Sequence, residues 1–151
     1  MLMNERILLP LDKNLEELAR EYIANKLQTD SDDASVEEVL NDFSRRMKSR
    51  EECMEREGYF HILLKISLLD FKVMNRSIEF STREGPFFDA LRKLSAHQRE
   101  MILLTSCMGY PTTEAGSLMN ISSNSAKKLH YRAAEDLSIK ISEICNIADL
   151  F

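Results

Sequence analysis

From Pro86 onward, each run of apolar residues at helical spacing is bounded by a residue suited to starting or stopping a helix. That punctuation leaves little choice of fold. Pro86 stands at a first helical position and is followed by Phe87, Phe88, Leu91 and Leu94. Ser95 and Gln98 form a capping box for the next helix, which carries Met101, Ile102, Leu104 and Met108 and is expected to stop at Gly109. Pro111 and Thr112 open a short helix, Thr112 to Met119, and Asn120 suits a left-handed turn because Asn tolerates positive φ better than most residues. Ser122 then caps a long last helix that keeps Ala126, Leu129, Ala133, Leu137 and Ile141 on one face out to about Ile144. A short helix, a tight Asn-centred turn and a second helix capped by Ser is the layout of a helix-turn-helix.

The front half is also helical in pattern. Leu15, Leu18, Ala19, Tyr22, Ile23 and Leu27 share one face, with Asn14 and Glu17 as the expected cap. Thr29 to Asp33 has no apolar residue and reads as a solvated connector; it lacks the Gly and distal Glu of a calcium loop. Ser35-Val-Glu-Glu38 predicts a capping box for a helix with Val36, Val39, Leu40, Phe43 and Met47 on one face, running on to Glu57 and broken by Gly58. Tyr59 to Met74 is so dense in apolar residues that it predicts the central core helix. The polar stretch Asn75 to Gly85, in which residues 76–80 could form a short extended piece, is the expected linker. With Gly 4, Pro 3 and Trp 0 in 151 residues, the turn formers a sandwich or barrel needs are missing, so the fold class is all-α. The domains expected are a helical one at 1–85 and a helix-turn-helix one at 86–151.

Net charge is -5, and all of it lies in the front: residues 1–86 hold thirteen basic and eighteen acidic side chains, and the remainder seven of each. The whole molecule is therefore not drawn to nucleic acid by net charge, and the front domain reads as an acidic, partner-binding one. Cys53, Cys107 and Cys145 are far apart and no His stands at zinc-ligand spacing, so neither a disulfide framework nor a metal site is indicated. His61, His97 and His130 show no triad spacing, no nucleophile sits in a recognisable turn motif, and there is no Gly-rich phosphate loop. The expectation is no catalytic residue, no cofactor and no enzyme. The apolar run before Pro10 is too short for a signal-peptide core or a membrane span, so the chain is expected in the cytoplasm with no membrane partner.

The chemistry lies on the last helix. With Ser122 as cap, Ser123, Asn124, Lys127, Lys128, Tyr131 and Arg132 recur opposite the apolar face and share its solvent side. Lys127, Lys128 and Arg132 can neutralise phosphates or reach guanine O6 and N7, and Asn124 can pair bidentately with adenine. Thr112 and Thr113, at the start of the shorter helix, can hold phosphate. The DNA-binding candidates are thus Thr112, Thr113, Ser122, Ser123, Asn124, Lys127, Lys128, Tyr131 and Arg132.

Phe88-Asp-Ala-Leu-Arg-Lys-Leu94, Gln98-Arg-Glu100, Leu103-Leu104, Gly109-Tyr-Pro-Thr-Thr-Glu-Ala115, Asn120-Ile-Ser122 and Tyr131-Arg-Ala-Ala-Glu-Asp-Leu137 resemble, in order and spacing, region 4 of the sigma-70 family. The likeness runs over about residues 87–142 and is nearest to extracytoplasmic-function sigma factors and to small sigma-like proteins of mobile elements. It implies a four-helix unit whose last helix enters the major groove of double-stranded promoter DNA at the -35 element and which docks on the flap of RNA polymerase. Gln98-Arg-Glu-Met-Ile-Leu-Leu104 with Glu114-Ala115 equally resembles the sigma-like domain of general stress response anti-anti-sigma proteins. That resemblance implies the alternative, a mimic that occupies an anti-sigma factor. Ala115, Gly116 and Ala126 are small for the family's seam between the two helices, which implies a pair that packs closer or one that is looser. The front half lacks the basic and aromatic strip with which sigma region 2 opens DNA.

Overall fold

The computed structural model describes residues 13–53, 55–75 and 85–149, with side chains described within these from Glu16 to Ile144. Segment 76–80 lies outside the described residues, as does the side chain of Asn14, whose backbone is already helical. Among the described residues the chain is all-α, as its composition requires: α1 (Lys13–Leu27), α2 (Ala34–Ser49), α3 (Tyr59–Met74), α4 (Gly85–Arg92), α5 (Ala96–Ile102), α6 (Thr112–Leu118) and α7 (Ser123–Asp149). A 3₁₀ turn, Glu51–Cys53, follows α2, and a π turn, Leu103–Cys107, continues α5.

The chain divides into two compact units, Met1–Leu68 and Leu69–Phe151. Two arginines hold the end of α3 within the second. Arg92 donates from Nε to the Val73 carbonyl at 2.6 Å, and Arg99 donates from Nε to Asp70 Oδ1 at 2.5 Å. The last turns of α3 are thereby tied to α4 and α5.

In the first unit, Val36, Val39, Leu40, Phe43 and Met47 on α2 are all buried, each contributing about 1.5–3 kcal/mol by removal from water. They pack with Ile23 and Ala24 of α1 and the Tyr59 to Leu68 stretch of α3, where Phe43 and Phe60 meet edge to face at 5.1 Å. Leu18 departs from expectation: it is exposed and lines an open groove with Tyr22, Phe60, His61 and Leu64. The cap of α2 is also not the one expected. Asp33, extended at φ -66° and ψ 146°, accepts from the Ser35 amide at 2.8 Å, which puts Ser35 inside the helix. A carboxylate reaches across the first turn and opposes the positive end of the helix, so it takes the cap. That amide, with the Thr29 hydroxyl, holds the Asp33 carboxyl below its ordinary pKa. Nor does α2 run to Glu57. It stops at Ser49, where Arg50 leaves helical backbone at φ -132° and ψ 35° while its amide still donates to the Met47 carbonyl. Gly58, at φ 76°, then turns the chain into α3.

In the second unit α4, α5 and α6 pack on α7 around Leu91, Met101, Leu104, Leu118, Ala133 and Leu137. Ser95 caps α5 with both bonds of the capping box: its hydroxyl accepts from the Gln98 amide, and Gln98 Oε1 accepts from the Ser95 amide, each at 3.3 Å. The expected helix to Gly109 is regular only to Ile102. Thr105 then turns its hydroxyl back onto the Met101 carbonyl at 2.8 Å, and the Met108 amide reaches five residues back to Leu103 at 3.0 Å. The chain leaves this widened turn through Gly109 at φ 82°, where the stop was expected.

Candidate nucleic-acid interface

The turn between α6 and α7 is held by its own hydrogen bonds. Asn120 is left-handed at φ 60°, its amide donates to the Ser117 carbonyl at 3.1 Å, and the Ile121 amide donates to the Gly116 carbonyl at 2.9 Å. These two bonds form a Schellman stop, with Ile121 lying over Gly116. Ser122 then starts α7: its hydroxyl accepts from the Ser125 amide at 3.1 Å and donates to the Ser125 hydroxyl at 3.0 Å. Ser122 is thus occupied as the cap of the helix that carries the candidate face.

The seam between the helices resolves which way the small residues act. A Cβ placed on Gly116 would stand 2.3 Å from the Cβ of Ala126, so the two backbones are as close as glycine allows. The pair packs closer rather than looser. Ala115 and Gly116 on α6, with Ala126 and Ala133 on α7, are all buried there.

Opposite this seam the structure exposes Ser123, Asn124, Lys127, Lys128, Tyr131 and Arg132 on α7 and Thr113 on α6, with Tyr131 70% exposed. Ser125, absent from the sequence-based set, is exposed beside them. Asp136 is drawn away from the face, because Gln98 of α5 donates to its Oδ2 at 2.9 Å. Thr112 differs from its neighbours. It is half-buried, and its hydroxyl shares a hydrogen bond of 2.6 Å with Nδ1 of His130. Sequence reasoning missed His130 as a partner. The available signal was its place on the spacing 126, 130, 133, 137 of the buried face, where a polar side chain needs a partner. His61 sits elsewhere, against the Tyr22 ring at 5.6 Å, and His97 is exposed on α5.

Residues 86–137, about a third of the chain, match the family described as sigma-70, region 4. The segment is a sigma region 4-like helix-turn-helix domain. Its match begins with α4 and ends at Leu137, so α7 continues for three further turns beyond the sigma region 4-like part. No curated protein and no solved structure matches the chain. The domain is that of a sigma-factor-like DNA-binding regulator and not of a known enzyme family. No helix among the described residues is long and apolar enough to cross a membrane, and no cluster of three metal-ligating side chains occurs among them.

Proposed function

We propose that this chain is a bacterial transcription regulator that binds double-stranded promoter DNA through α7, works with RNA polymerase in the cytoplasm, and uses its acidic front half, residues 1–85, for protein contacts. The observation that carries this reading is the exposed face of α7, where Asn124, Lys127, Lys128, Tyr131 and Arg132 stand together while the opposite face is buried. A helix of that kind fits a major groove, and its cations supply the phosphate and guanine contacts such a groove offers. Glu135 lies one turn beyond Tyr131, toward the end of the helix that leaves the groove. Thr113, Ser123 and Ser125 offer hydroxyls to the backbone.

The test is a series of binding titrations over salt with promoter fragments. Lys127→Ala and Arg132→Ala should each weaken binding. Loss of a phosphate contact should lower the log-log salt slope by about 0.9, whereas loss of a bidentate base contact should cost about 1–3 kcal/mol and relax specificity at one position. Wild-type protein that binds no promoter DNA, with or without polymerase, while holding an anti-sigma factor tightly, would overturn this reading in favour of a sigma mimic. In that case Leu104→Asp, which disrupts the buried core of the domain, should abolish anti-sigma binding while the α7 substitutions leave it intact.

A further inference from the structure

We propose that His130 is a positioning residue: through Thr112 it fixes α6 against α7 and so sets how α7 presents Lys127, Lys128 and Arg132. This rests on the reading of α7 as the DNA-binding face. The seam it acts on brings Gly116 directly against Ala126, an apolar contact between two backbones. Apolar contact of that kind has no direction. A hydrogen bond has one, and it weakens steeply as its angle opens. The 2.6 Å bond between Thr112 Oγ1 and His130 Nδ1 joins the first residue of α6 to a point two turns into α7, one turn from Lys127 and next to Tyr131. It supplies the directional restraint that small side chains leave out.

The imidazole can hold this restraint in two ways. Neutral and protonated on Nε2, it accepts the Thr112 hydroxyl proton at Nδ1; charged, it donates from Nδ1 to the Thr112 oxygen. The bond survives protonation with its direction reversed, so the helices stay in place.

The experiment is fluorescence anisotropy of the full chain on a labelled promoter fragment, at constant salt and pH. Thr112→Val and His130→Leu should each weaken binding by about three- to tenfold, the worth of one hydrogen bond. The double variant should be no weaker than either single one. His130→Asn, whose amide can replace Nδ1 as the partner of Thr112, should keep the wild-type affinity. A side chain that only filled space would be replaced as well by Leu as by Asn. Additive losses, or a loss in His130→Asn as large as in His130→Leu, would overturn the proposal. So would full affinity in Thr112→Val and His130→Leu when Lys127→Ala still binds weakly, an outcome that leaves the DNA-binding reading standing. If His130→Leu does not fold, Thr112→Val and His130→Asn, both close in size to the native residues, decide the matter. Wild-type protein that binds no promoter fragment, with or without polymerase, overturns both readings together.

Discussion

Gly116 shows how much one hydrogen atom in place of a methyl can decide. Gly116→Ala would set a Cβ 2.3 Å from that of Ala126, with backbone on both sides and no flexible side chain to give way. Melting curves should show a loss of about 1–3 kcal/mol from overpacking. Adding Ala126→Gly should recover part of it by reopening the space, less the helix propensity lost, about 1 kcal/mol. At this scale the sequence was partly legible. The smallness of Ala115, Gly116 and Ala126 was visible, but not whether it meant a tight seam or a loose one, since that depends on how near two backbones come. His130 was less legible still, because a histidine on an apolar stripe reads the same whether or not a threonine on another helix meets it. Asp33 is a third case. Its hydrogen bonds to the Ser35 amide and the Thr29 hydroxyl depress its pKa in the fold, so its stabilising effect is present above the ordinary carboxylate pKa and is lost as the pH falls through the depressed one. Asp33→Ala should lower the melting temperature at neutral pH, and the gap from wild type should narrow in strongly acidic buffer; circular dichroism melts at both pH values read this directly.

Helix starts and stops were legible where one residue dictates them. Ser95 with Gln98, Gly109, Asn120 and Ser122 all do what their chemistry predicts, because each satisfies or frees a backbone group within a few residues of itself. Asn120 can be tested as such: Asn120→Gly should preserve or raise stability, whereas Asn120→Val should cost about 1–2 kcal/mol, the penalty of a β-branched residue held left-handed. Equilibrium urea denaturation would measure both. What was not legible at this scale was competition. Asp33 displaced Ser35 as a cap, and α2 ended nine residues before the glycine expected to end it, because two candidate signals within reach of each other are ranked by tertiary packing rather than by local preference. The widening of α5 at Leu103–Cys107 is of the same kind, since Thr105 and the buried Leu103 and Leu104 must be satisfied together.

For the whole molecule, the acidity of the front half and the neutral remainder were plain in the sequence, whereas the reach of Arg99 to Asp70 across 29 positions was not, since no local pattern records it. With side chains 9% and 15% exposed, this pair is largely buried, and Arg99 keeps the Leu94 carbonyl as a second acceptor, so Asp70→Ala in the full chain should cost about 1–3 kcal/mol. A fragment of residues 86–151 should remain helical by circular dichroism but melt below a fragment of 69–151, which keeps Asp70 and the Val73 carbonyl; equal melting temperatures would mean that the end of α3 adds nothing. The π turn, finally, bears on the length of the chain itself. A helix that loops five residues back holds one residue more than the same span needs. Anywhere else in a helix a deletion swings all that follows by about 100°. Between Leu103 and Cys107 a one-residue deletion should instead let the ladder close as ordinary α-helix and deliver Gly109 and α6 where they already stand, so this is the place in the domain where evolution, or an engineer, can shorten a helix without moving its neighbours.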